Sequence, residues 1–144
     1  MKNNKKIGYQ LKVYPAKRGR EAYRVFQISG DASFDDLCFS ILGQFNFDSS
    51  HMYEICFNNN YDDNLQCSAA SGSTRNTSNT TLNDVGLTKG QKFIFHYDFG
   101  DDWKFVVSVV KVLEDFSSSS VIKLKVKGKI SQYYDYDEED FDEE

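Results

Sequence analysis

Ile7, Tyr9, Leu11 and Val13 alternate with polar residues, the period-two pattern of a half-buried strand. "PAKRGR" follows as a turn punctuated by Pro15 and Gly19, and "EAYRVFQIS" returns as a second strand, so the chain opens on a hairpin. The period then changes. Phe34, Leu37, Cys38, Ile41, Leu42 and Phe45 recur at three- and four-residue steps and form one face of a helix. Ser33 with Asp36 reads as a variant capping box, and Asp35 suits the positive end of the helix dipole.

"HMYEICF" (51–57) predicts a third strand, with Tyr53, Ile55 and Phe57 opposite Met52, Glu54 and Cys56. Residues 58–80 are polar and low in complexity, and predict a structureless, mobile excursion. "TLNDVGLTKGQKF" reads as a short capped turn that points Leu82, Val85 and Leu87 inward. "KFIFHYDF" and "WKFVVSVVKVL" are two strands around Gly100, and "VIKLKVKGKI" alternates as a last strand. The order predicts an α+β fold: a β-grasp-like mixed sheet with one main helix packed across it and an added C-terminal hairpin and strand. Residues 1–130 are expected to form a single domain, and 131–144 an acidic disordered tail.

In the hairpin, loop length decides which side chains meet. A two-residue turn at Gly100-Asp101 pairs Asp98 with Trp103. A three-residue loop, 100–102, pairs Phe99 with Trp103 and Tyr97 with Phe105, and sets Asp98 opposite Lys104. The longer loop is preferred because it gathers Tyr97, Phe99, Trp103 and Phe105 on one inward face.

Composition narrows the class. A chain of 144 residues, 40% hydrophobic and 15% aromatic, is long enough for one packed core. No apolar run approaches the roughly 20 residues of a membrane helix. "MKNNKKIGYQLKV" alternates where a signal peptide would carry an apolar core, so a cytoplasmic protein is expected. Cys38, Cys56 and Cys67 are isolated and odd in number, which predicts reduced thiols.

Net charge is −5, but "SQYYDYDEEDFDEE" (131–144) holds 8 of the 22 acids and none of the 17 bases. The body is therefore mildly basic, 17 Lys and Arg against 14 acids. Lys123, Lys125, Lys127 and Lys129 are expected as a row on one face of the last strand. With Lys17, Arg18 and Arg20 they could contact phosphates, or they could guard a sheet edge against pairing.

The densest chemistry is "FHYDFGDDWKF" (95–105). Asp98, Asp101 and Asp102 crowd the turn, where carboxylates either cap backbone N–H groups or bind a divalent cation. EF-hand spacing is absent, so capping is the simpler expectation, and no cofactor is required. His51 and His96 are the only histidines. Each is expected to be structural, with a composite site including Asp98 as the alternative. Neither a Ser-His-Asp or Cys-His arrangement nor a glycine-rich phosphate loop can be argued.

"YDFGDDWKFVVSVVKV" closely resembles the Y-D-F-G-D-x-W signature of the plasmid pRiA4b ORF-3-like family, also known as insertion-element passenger proteins. Upstream, Tyr23-Arg24 resembles the family's Trp-Arg, and "FNFDSSHMYEICF" is similar to its F-G-W-x-x-x-H-L-x-x-F segment, with His51 at the histidine. "TLNDVGLTKGQKFIFHYDFG" is similar to the family's approach to the signature, and the likeness spans about residues 7–113. The chain departs at Val25, where a second Arg is common, and at Asn46, where Gly is common. After the hairpin it replaces a Cys/Pro/Gly segment with Ser-, Lys- and acid-rich stretches. The resemblance implies an α+β fold and a setting in plasmids and mobile elements, and no reaction.

Three functions follow as expectations. The first is a small non-enzymatic module that presents the hairpin tip (His96, Tyr97, Asp98, Gly100, Asp101, Asp102, Trp103) and His51 to a protein partner. The second is a nucleic-acid-binding accessory that uses the lysine row. The third is a metal-dependent hydrolase built on Asp98, Asp101, Asp102 and a His.

Overall fold

The computed structural model describes residues 6–57, 64–71 and 75–133. Among the described residues there are seven strands: β1 (Gly8–Pro15), β2 (Tyr23–Ser29), β3 (Tyr53–Cys56), β4 (Leu65–Gln66), β5 (Lys92–Tyr97), β6 (Trp103–Leu113) and β7 (Ile122–Lys127). They form one sheet in the order β4-β3-β5-β6-β1-β2-β7. The fold is α+β. A mixed sheet was expected, but every pairing of named strands is antiparallel, including the central β1–β6 pair. β6 is the longest strand and lies between β5 and β1, where its alternating Phe105, Val107 and Val109 complete the core.

The main helix, α1 (Phe34–Gln44), starts at Ser33, whose side chain accepts the Asp36 N–H while the Asp36 carboxylate accepts the Ser33 N–H. This is the reciprocal box that the sequence predicts. Phe34, Leu37, Cys38, Ile41 and Leu42 are buried against the inward residues of the sheet. Each apolar side chain of this size contributes about 1.5–3 kcal/mol when fully buried. A second capping box, Thr81 with Asp84, starts the short α3 (Leu82–Val85), which Gly86 ends in the left-handed region at φ 72°.

Residues 64–71 and 75–80 correct the expectation of a structureless excursion; 58–63 and 72–74 lie outside the described residues. Leu65–Gln66 pair with β3, and Ser68–Ser71 form the one-turn α2. Thr77 is fully buried, donates its hydroxyl to Asp35 Oδ1 at 2.5 Å and takes the Asp35 N–H on its carbonyl at 3.0 Å. Tyr53 donates to the same carboxylate oxygen at 2.7 Å. A polar segment is thus pinned by hydrogen bonds, which hydrophobic periodicity cannot reveal.

The β5–β6 hairpin has a five-residue loop, Asp98–Asp102, with Tyr97 opposite Trp103, His96 opposite Lys104 and Phe95 opposite Phe105. Neither shorter loop forms. Asp98 and Asp102 both adopt the left-handed region, at φ 63° and 62°. Asp tolerates that conformation better than most residues. Tyr97, Phe105 and partly buried Trp103 still share the core face as expected, because a register change of two residues preserves facing. Phe99 does not join them: inside the loop it turns outward and is 46% exposed.

Cys38 and Cys67 are buried and Cys56 half-buried, all as free thiols. Among the described residues no helix is long and apolar enough to cross a membrane. Of the acidic tail, residues 134–144 lie outside the described residues.

Candidate functional site

Asp98 acts first as a cap. Its Oδ1 accepts the Gly100 N–H at 3.1 Å and the Asp101 N–H at 3.3 Å, while its own N–H donates to the Met52 carbonyl at 2.9 Å. The left-handed backbone at Asp98 and these local bonds account for a turn in which Gly100 is not the left-handed residue. Asp102 points elsewhere. Its Oδ1 meets His96 Nε2, and its Oδ2 lies 3.8 Å from Lys104 Nζ. The His96 bond holds the Asp102 carboxyl below its ordinary range. His96 Nδ1 faces Glu54 Oε2 at 2.9 Å, so both ring nitrogens link it to carboxylates. Asp101 is exposed. The three carboxylates do not converge, and among the described residues no group of three or more His, Cys, Asp or Glu is placed to hold a metal ion.

His51 and Asp98 meet on the Tyr97 side of the sheet, opposite His96. His51 Nε2 is 3.5 Å from Asp98 Oδ2 and 3.0 Å from the Tyr133 hydroxyl. Tyr97 donates to the Asp48 carbonyl at 2.7 Å and accepts the His51 N–H at 3.1 Å. Tyr133 donates to Asp48 Oδ2 at 2.7 Å, Asp48 N–H donates to Gln132 Oε1 at 2.7 Å, and Trp103 Nε1 donates to the Gln132 carbonyl at 3.3 Å. The Tyr133 bond pushes the Asp48 carboxyl down to about 2, and the same bond pushes the Tyr133 phenol up to about 12. His51, Tyr97, Asp98 and Trp103 are therefore brought together, but they fasten the segment 131–133 across the end of the sheet. His96, Asp101 and Asp102 stand apart from them.

The expected lysine row is broken twice. Val25 pairs with Lys125 but Phe26 with Lys123, so Leu124 is an extra residue in a β-bulge and the alternation slips there. Lys129 follows Gly128, which is at φ 65° and ends the strand, so Lys129 lies beyond the row. Arg18 is held by Glu21 at 2.9 Å. What remains is a cluster on the sheet face opposite α1. Lys12, Lys125 and Lys127 place their Nζ atoms 4.5, 5.7 and 5.9 Å from the centre of the half-buried Tyr23 ring. Tyr14 is beside Lys12, at 5.9 Å. Lys125 bonds the Tyr23 hydroxyl, and that bond and the neighbouring charges lower its pKa.

Sequence reasoning missed Arg24, although a signal for it existed: it falls in phase with inward-facing Phe26 and Ile28. It is 5% exposed. Its guanidinium lies 4.4 Å over the Phe45 ring, with Nε donating to the Gln44 carbonyl at 3.0 Å and Nη1 to the carbonyls of Tyr23 and Lys127, both at 2.9 Å. Burial lowers its pKa. It lines a cavity of about 610 Å³ between the end of α1 and residues 129–133, together with Gln44, Asn46, Asp48, Lys129 and Tyr133.

Comparison with curated proteins gives no match. Among solved structures, the chain is similar to the crystal structure of a protein of unknown function from Methanosarcina mazei Go1. The TM-score is 0.74 at 20% identity, over 90% of this chain and 74% of that one. At that identity the likeness is one of fold. Residues 7–132 match the profile described as plasmid pRiA4b ORF-3-like protein. The match extends past the hairpin signature to take in β7 and Gln132, which Asp48 and Trp103 hold. Spanning nearly the whole described fold, it establishes that the chain belongs to the plasmid pRiA4b ORF-3-like family.

Proposed function

We propose that the chain is a non-catalytic accessory protein that binds single-stranded nucleic acid on the open face of its sheet. The observation that carries this is the cluster of Lys12, Lys125 and Lys127 around Tyr23, with Tyr14 alongside. α1 packs on the other face, so Tyr23, Val25 and Gln27 and their β1 neighbours stay only half-buried. An antiparallel sheet with rings for base stacking and ammonium groups for phosphates is a recurring platform for single strands. The plasmid of the family's name supports a mobile-element setting, and a cytoplasmic location goes with it.

The chain should bind an oligothymidylate at low salt, with an affinity that falls as salt rises. Three phosphate contacts correspond to a log–log slope of about −2. Tyr23→Leu should weaken binding by about 1–3 kcal/mol, the worth of one stacked base. Lys125→Gln with Lys127→Gln should flatten the slope toward about −0.7. Absence of binding at low salt, or binding that ignores all three substitutions, would overturn the proposal.

A second reading is that the hairpin tip docks a protein. Phe99 and Met52, 46% and 50% exposed, flank the acidic turn and give it an apolar contact. Capture of a protein partner that is lost in Phe99→Ser, with oligonucleotide binding absent, would favour it.

A further inference from the structure

Arg24 is buried among neutral groups. Its acceptors are three backbone carbonyls, and its guanidinium lies over the Phe45 ring. Among the described residues no carboxylate lies within ion-pair distance of it. A guanidinium removed from water without a counter-charge is costly, and proteins ordinarily supply one. Two of its nitrogens are occupied, and Nη2, which is not among the enclosed atoms, has no hydrogen-bond partner among the described residues. The cavity lies against this side chain, and Lys129 brings a second cation to its wall.

Asp48 also lines the cavity but forms no ion pair with Arg24; its carboxylate takes hydrogen bonds from Tyr133, Gln132 and Ser50.

We propose that this cavity is a binding site for a small anion, a carboxylate or phosphate group that takes Arg24 Nη2 and Lys129 as its donors. Nη2 still offers two N–H donors, which suit either group, and the three bonds made by Nε and Nη1 hold the guanidinium in place before the ligand arrives. The volume leaves room for the anionic group to be carried on a larger molecule. The site is separate from the Tyr23 face and does not depend on nucleic-acid binding there.

Arg24 Nε–H gives an NMR signal of its own, so the test reads the site directly. Inorganic phosphate and succinate are titrated separately into the full chain, following that signal and the melting temperature. A saturable shift of the Arg24 signal is expected with one of them, with a several-fold weaker affinity in Lys129→Gln. Lys129 is exposed on the rim, so that variant folds normally. The anion that saturates the site decides between phosphate and carboxylate. Tyr23→Leu should leave the titration unchanged. No saturable change with either anion overturns the site. So does a rise in melting temperature while the Arg24 signal stays fixed, which places the anion elsewhere.

Discussion

The pair formed by Asp48 and Tyr133 shows how one hydrogen bond ties a chain segment to a fold and makes that tie sensitive to pH. Because the Asp48 carboxyl is depressed from 3.8 to about 2, its contribution is fully present above pH 3.8 and is lost as pH falls toward 2. The Tyr133 phenol is raised from 10 to about 12, so its share is complete below pH 10 and is lost as pH rises toward 12. Trp103, the only tryptophan, donates to the Gln132 carbonyl next door and reports both events. Its emission should change as pH falls below 3.8 toward 2 and again as pH rises above 10 toward 12. Tyr133→Phe should return the Asp48 titration, followed by carboxyl carbon NMR, toward its ordinary value. An unmoved midpoint would mean that Tyr133 is not what holds Asp48.

At the scale of elements, β7 is the edge of the sheet, and it is blunted by lysines and by the bulge at Leu124. Both devices discourage pairing with another chain. Its end is fixed by Gly128 at φ 65°, where an added Cβ would lie 1.9 Å from the Glu21 carbonyl oxygen. That contact is with backbone, so neither partner can turn away. Gly128→Ala should cost at least about 1–2 kcal/mol from the left-handed conformation alone, more once the clash is counted. Urea denaturation gives the stability, and Trp103 emission shows whether residues 129–133 have lifted from the sheet end. A variant as stable as the parent would mean that the close approach relaxes freely.

The whole molecule sets a mildly basic body against a strongly acidic terminus. All eight acids of residues 131–144 fall beyond Tyr133. A chain ending at Tyr133 should bind oligonucleotide more tightly than the full chain, with the difference shrinking as salt rises. Equal affinities at low salt would show that the tail does not compete for Lys12, Lys125 and Lys127. The sequence alone determined the features that depend on near neighbours. These are the alternation of β1 and β2, the face and capping box of α1, the capped turn at Thr81, and the inward facing of Tyr97, Trp103 and Phe105 in the hairpin. All repeat at fixed short spacing, so local backbone geometry is enough to read them. Only the tertiary structure decided the rest, because those features depend on residues far apart in the chain. Asp35 holds Thr77 and Tyr53, the bulge at Leu124 breaks the lysine row, and the five-residue loop sends Asp98 to His51 and Asp102 to His96. Arg24 is the clearest case. Its inward phase along β2 is visible in the letters, but the Phe45 ring beneath it, the Lys127 carbonyl that holds it and the cavity beside it come from three separate parts of the chain.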